Sequence, residues 1–365
     1  MNRLLGVTLL LATLPMAAGA QEKEKERGIL ERLELSGYIQ ARYVVDQQST
    51  VENPLDRFFV RRGRLKATYD ADWSKYVLQI DASSSGLSLK DAEVHLIEPW
   101  TPYKLELAIG QMKWPFGFEV MESSSVREFP ERSRVVRAFA SNERDRGAKF
   151  IAKIGWFRFQ GGVFDGNGID RPQPFFGRDN DNAKDVIARA GVDFGWLSGG
   201  VSGWYGDTFR HAGAVPGAPP AAWFPRTRLG ADLQLKGDLI PLGKSIFKAE
   251  YIAGRTYWES GREQFGDPAL GWYLALNQHL GKYNVVSFRY DYFDPLAGSG
   301  PRESASEPGR PDASNPIGTY TVALSHSWYE HVRLTVAYEI PVTVTPAGTS
   351  DPDDNLLTLQ AQVKY

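Results

Sequence analysis

The chain predicts an all-β fold, a transmembrane antiparallel β-barrel of about sixteen strands over residues 35–365. Three observations carry that expectation. Apolar and polar residues alternate over roughly ten-residue segments, as a wall between lipid and water requires. The connections between these segments alternate between short and long. The 365 residues include no cysteine, and no apolar run beyond the N-terminal one is long enough for a spanning helix.

The elements follow in order. Arg3 precedes the apolar run 4–17 and the small residues Ala18, Gly19 and Ala20, which predicts a secretory signal over residues 1–20, cut before Gln21. Residues 21–34 mix Glu, Lys and Arg with Ile29, Leu30 and Leu33, a periplasmic leader that is either a brief helix or a flexible arm. The first strand is expected at 33–43, where Leu33, Leu35, Ile39, Ala41 and Tyr43 alternate with Glu34, Ser36, Gln40 and Arg42. The same period marks 60–69, 76–82, 89–97, 103–111, 148–154, 157–164 and 186–194. It continues through 198–205, 227–236, 247–255, 271–280, 283–292, 319–328 and 332–340, and it ends at 357–365, where Leu357, Leu359, Ala361, Val363 and Tyr365 share one face.

Any one such segment also suits a soluble sandwich, as in a β-rich periplasmic binding protein; the connections separate the two. After even strands they are mostly short, as at 155–156, 195–197 and 281–282. After odd strands they are mostly long and rich in Gly, Pro and Asp, as at 112–147, 165–185, 206–226, 256–270 and 293–318. Short turns on one rim and long loops on the other, with both termini in the periplasm, describe a barrel of a Gram-negative outer membrane. Tyr43, Tyr69, Tyr103, Tyr292, Trp328 and Tyr338 lie near strand ends, where interfacial aromatics belong.

Loss of Arg3 with the signal takes the formal net charge from −2 to −3, so the total gives no reason to expect a nucleic-acid partner. The five histidines show no metal-ligand spacing, and no cofactor motif is present. Asp179, Asp181 and Asp185 could attract calcium, but Lys184 stands where an EF-hand loop needs glycine; Asp351, Asp353 and Asp354 read as a solvated loop. The one cluster resembling a hydrolase site is Ser325, His326 and Ser327, whose alternating register points histidine and serines to opposite faces. No enzyme is expected.

Specific motifs lie in the first half: FFVRRGRLK at 58–66, DAEVHL at 91–96, IGQMKWPFGFE at 109–119, ERSRVVRAFA at 131–140, RDRG at 144–147 and GGVFDGNG at 161–168. In this order they resemble the phosphate-selective porin O and P family. The resemblance implies a trimeric, sixteen-stranded, anion-conducting porin whose third long loop folds into the lumen as a constriction. Counting strands independently makes 112–147 the third long-side connection.

Selective passage needs fixed charge in a narrow place. Arginine suits phosphate because its fork donates two parallel hydrogen bonds and stays charged. Outward Leu65, Ala67 and Tyr69 set a register in which Arg62, Arg64 and Lys66 form an inward ladder, joined by Arg42, while Arg61 turns outward near the rim. In the third loop Arg132, Arg134 and Arg137 are the leading constriction candidates, with Arg127, Arg144 and Arg146 behind them. Glu119, Glu122, Glu128, Glu131, Glu143 and Asp145 share that loop, so salt bridges could consume the arginines. A weakly selective general-diffusion porin is therefore the alternative to an anion or phosphate channel.

Overall fold

The computed structural model describes residues 28, 31–84, 86–141, 143–169, 181–211, 220–259, 262–305 and 310–365. The expected signal and most of the expected leader lie outside them. Sixteen strands follow one another: β1 (Leu33–Asp46), β2 (Arg57–Asp70), β3 (Ser74–Ser83), β4 (Gly86–Ile97), β5 (Glu106–Lys113), β6 (Arg144–Ile154), β7 (Phe157–Phe164) and β8 (Asp185–Asp193). The second half comprises β9 (Leu197–Arg210), β10 (Ala222–Ile240), β11 (Gly243–Glu259), β12 (Arg262–Leu280), β13 (Asn284–Asp294), β14 (Ile317–Trp328), β15 (Val332–Thr343) and β16 (Leu356–Lys364). Each pairs antiparallel with its chain neighbours, and β1 pairs with β16 to close the barrel. A short helix, α1 (Arg134–Phe139), lies between β5 and β6.

Alternation becomes two faces. Along β14, Thr319, Thr321, Ala323 and Ser325 are buried, while Tyr320, Val322 and Leu324 are exposed on the apolar outer surface. Closure leaves no sheet edge, so backbone polar groups are paired strand to strand where water is absent. Among the described residues no helix is long and apolar enough to cross a membrane. Exposed Trp73, Trp100, Trp156, Trp196 and Trp328 ring the short-turn end, a girdle richer in tryptophan than the expected tyrosines.

The seam between first and last strands has its own fitting. Gly37 and Tyr365 exchange backbone hydrogen bonds of 3.2 and 3.1 Å. A Cβ on Gly37 would stand 2.3 Å from the Tyr365 hydroxyl and 2.4 Å from the Arg64 carbonyl oxygen, so only glycine admits both neighbours.

Several boundaries differ from expectation. β1 starts at Leu33, as the alternation at 33–43 predicts, so it takes in the last two residues of the expected leader and places Leu33 opposite Tyr69. The expected loop 256–270 is instead a hairpin in which β11 and β12 pair out to Glu259 and Arg262. The expected connection 237–246 also pairs almost throughout, and β9 and β10 extend into 206–226. Backbone pairing outlasts the membrane-type alternation in these stretches, because a hairpin wetted on both faces needs no lipid side.

The outward reading of Arg61 is overturned. A β-bulge between Gln40 and Ala41 pairs Gln40 with Arg62 and Ala41 with Val60, leaving Arg61 as the extra residue. The bulge restores Val60 to the outer face and turns Arg61 inward, where its Nε donates to Glu131 at 2.7 Å.

Candidate functional site

Residues 114–143 join β5 to β6, and their contacts reach both walls of the barrel. The segment begins with a turn at Gly117, whose φ of +63° favours glycine and where a Cβ would meet the Glu250 carboxylate at 2.0 Å. Glu250, on β11, accepts hydrogen bonds from the Phe118 and Glu119 amides at 3.2 and 3.1 Å, and the Gly117 amide donates to Ser202 at 2.9 Å. Glu119 then accepts from the amide and hydroxyl of Ser133 at the start of α1, at 3.0 and 2.9 Å. Beyond it, Val135, Val136 and Phe139 join Trp114 and Phe116 in a buried apolar cluster with Trp204, Ile252 and Phe293 of the wall. Full burial of each such side chain stabilises the segment by about 1.5–3 kcal/mol.

The far side is held by polar contacts. Gln40 donates to the Ser124 carbonyl at 3.0 Å, Gln362 to that of Ser125 at 3.0 Å, and Arg42 to that of Pro130 at 2.5 Å. At the centre, Glu131 receives Arg42 at 2.6 Å, Arg61 at 2.7 Å and Arg62 at 3.6 Å. Burial alone would raise the Glu131 carboxyl, but the Arg61, Arg42 and Arg62 guanidiniums outweigh it and hold it well below the usual range. Glu143 behaves alike: burial opposes its ionisation, and Arg132, Arg144, Lys113 and Arg127 prevail.

Several of the expected site residues therefore have specific partners. Arg42 is spent on Gln360, Glu131 and Pro130, and Arg62 on Gln40 and Glu131. Arg64 bonds Asp81 at 2.9 Å and Ser124 at 3.1 Å. Arg132 is buried against Glu143 and the Glu119 carbonyl. Arg134, half-buried, starts α1 with its amide on Asp291 at 3.3 Å. Arg137 is exposed. Among the weaker candidates, Arg144 forms a two-pronged bond with Asp91 at 2.6 and 3.1 Å, and Arg146 is half-buried. Arg127 is buried with no hydrogen-bond partner on any guanidinium nitrogen among the described residues, and burial together with nearby Arg132 pushes it down to about 10. Lys66 differs from the rest of the ladder, making no hydrogen bond or ion pair among the described residues while lining a cavity.

Two cavities lie along the segment. One of about 780 Å³ opens toward the long loops and is balanced, with Arg42, Arg57 and Arg61 against Asp46, Glu131 and Glu339. The other, about 390 Å³, opens toward the short turns and is lined by seven Lys and Arg against Asp91, Glu93 and Glu106. Lys113 and Lys149 sit at its roof: Lys149 donates to the Lys113 carbonyl at 3.2 Å, and Lys113 to the Glu122 carbonyl at 2.8 Å. Lys75, on the expected turn but actually in β3, reaches Glu106 at 3.4 Å. Lys153 is exposed at the mouth without a partner among the described residues.

The basic character of this cavity was only partly readable. Lys149 and Lys153 point inward by alternation, whereas Lys75 lay in a segment expected as a turn, and Lys113 sits unremarked inside the 109–119 motif. Glu131 is one of the loop acids expected to pair with arginines, but the sequence does not say which, and Glu250 carries no local signal, because the partners of both are far away in the chain.

Other expected clusters separate. Ser325 bonds Thr335 at 2.9 Å and His326 bonds Asn284 at 2.8 Å, so the hydrolase-like pair has different partners on different faces. Asp185 is buried on Arg226 at 2.7 Å, and Asp179 lies outside the described residues. Among the described residues no group of three His, Asp or Glu is placed to hold a metal.

With this geometry in view, the family model for phosphate-selective porin O and P matches residues 33–196, from β1 through the turn after β8. No curated protein matches in sequence. Among solved structures, the anion-selective porin from Comamonas acidovorans superposes with a TM-score of 0.59 at 12% identity, covering 91% of this chain and 99% of that one. Salmonella typhi OmpF in complex with daunomycin gives 0.60 at 10%, covering 91% and 97%. The trimer form of the Vibrio cholerae outer membrane protein OmpT gives 0.59 at 10%, covering 91% and 99%. At these identities the likeness establishes the fold. The fold is that of a closed sixteen-stranded antiparallel barrel, and the family match spans β1 through β8, less than half of the chain.

Proposed function

We propose that this chain is an outer-membrane porin that passes small anions, phosphate or related oxyanions among them, by passive diffusion through a basic passage narrowed by residues 114–143 as an inward-folded third loop. The observation that carries this reading is the cavity toward the short turns, where seven cations face three carboxylates. Fixed positive charge on both sides of a narrow path raises the local anion concentration and lowers the entry barrier. Lys66 and Lys153 offer compact, hydrated charges, which attract an anion without the two-pronged grip that would retain it. The wall and loop arginines act differently: paired with Glu131, Asp81 and Glu143, they fix the loop rather than greet the solute. In this reading the short turns face the periplasm, and three copies form the working assembly.

A second reading, weakly selective general diffusion, is favoured by the balanced charge of the cavity toward the long loops. Reversal potential in a planar bilayer under a salt gradient, with and without phosphate, separates the two. Anion preference with phosphate block of chloride current supports the first. Anion preference without block retains the channel but removes phosphate, and cation preference overturns the anion reading.

A further inference from the structure

We propose that His95 is a specificity-determining residue of the passage, a fixed imidazolium that hydrogen-bonds two of the three carboxylates in the basic cavity and frees one of them when it loses its proton. This rests on the anion reading above and names the group that sustains it.

The geometry is unusual for a histidine. Its Nδ1 lies 2.9 Å from Glu106 Oε2 and its Nε2 lies 3.0 Å from Glu93 Oε2, with the ring buried at 6% exposure. A neutral imidazole has one N–H and one lone pair, so it can donate to only one of two carboxylates and would turn its lone pair on the other. With both carboxylates ionised, only the doubly protonated ring donates to both. The strands enforce this meeting: His95 alternates with Glu93 on the inner face of β4, while β5 begins at Glu106 beside that end of the strand.

The surrounding charges set what the ring does. From β3, Lys75 pairs with His95 in register and reaches Glu106 at 3.4 Å. From β5, Ala108 is opposite and uncharged. From β6, Lys149 is within electrostatic reach of Glu93 and Glu106. Farther along the cavity, Asp91 is occupied by Arg144, and Lys113 is turned to backbone carbonyls. All three carboxylates are thus engaged while His95 is charged, and Lys66 and Lys153 face the solute unopposed. Loss of one proton removes a cation and frees a carboxylate in the same cavity, so anion preference falls as pH rises.

The test is the chloride-to-potassium permeability ratio of the full-length protein in planar bilayers, measured from pH 5 to pH 9 for wild type, His95→Gln and the Glu93→Gln/Glu106→Gln pair. Wild type should lose about two- to fourfold of its ratio across that range, the size expected for one unit charge a few ångströms from a watery path. His95→Gln should show the low ratio throughout and no pH step. The glutamine pair, which removes two negative charges and the groups that hold the His95 proton, should raise the ratio and move the step to lower pH. A variant of His95 with the wild-type ratio and pH profile overturns the proposal, and heat-modifiable gel migration confirms that each variant is a folded barrel. The comparison is made against wild type, so it judges His95 even if the wild-type channel prefers cations, an outcome that would sink only the anion reading.

Discussion

Glu131→Gln is the sharpest probe of how the loop is held. The substitution keeps shape and one acceptor but removes the charge that three guanidiniums share at 2.6, 2.7 and 3.6 Å. Arg42 and Arg62 side chains are each 4% exposed, so their charges would be left buried without a counter-ion. Breaking such a pair costs about 3–5 kcal/mol. The lower end applies here, because Arg42 keeps Gln360 and Pro130 and Arg62 keeps Gln40, while Arg61 is exposed enough to add little. A loss of about 3 kcal/mol is therefore expected in urea unfolding of the barrel in micelles, with added flicker in single-channel current. Acid should mimic it only late. The folded carboxyl lies below its ordinary value of 4.5, so the pairing contributes fully above that pH and is lost only as pH falls through the lowered folded value. Unchanged unfolding and a quiet channel in Glu131→Gln would refute the anchoring argument, as would wild-type loosening already at pH 6.

Three other substitutions test separate links. Gly117→Ala forces a side chain into the left-handed region and to 2.0 Å from Glu250, so it should cost about 1–2 kcal/mol of conformational strain and loosen the loop from β11, read as a changed single-channel conductance. Gly37→Ala crowds both Tyr365 and the β2 backbone and should slow appearance of the folded band on a heat-modifiability gel, whereas a distant alanine replacement such as Gly237→Ala, with open space around it, should not. Lys66→Glu and Lys153→Glu should each lower the chloride-to-potassium ratio by about two- to fourfold, without altering unfolding, because neither lysine has a structural partner among the described residues.

What could be read from the chain divides along physical lines. Alternation is a local consequence of a wall between two solvents, so β1, β14 and β16 were legible wherever lipid lies on one side. It fails at 256–270, where pairing continues after the lipid ends. It fails at Arg61 for another reason: one inserted residue reverses parity, and nothing in FFVRRGRLK marks where the bulge falls. Register correctly turned Arg62 and Arg64 inward but could not say what they would meet there. Their partners Glu131, Asp81 and Ser124 come from other elements, and a buried arginine that is already paired serves structure before transport. Lys66 and Lys153, chemically less suited to gripping phosphate, are the cations left open.

The most direct measurement of the central claim is the zero-current potential of the purified wild-type channel in a planar bilayer under a potassium chloride gradient, repeated with phosphate on the side of the short turns. The account predicts a potential of the sign set by chloride, with chloride current reduced as phosphate enters the basic cavity. A potential of the sign set by potassium would contradict it.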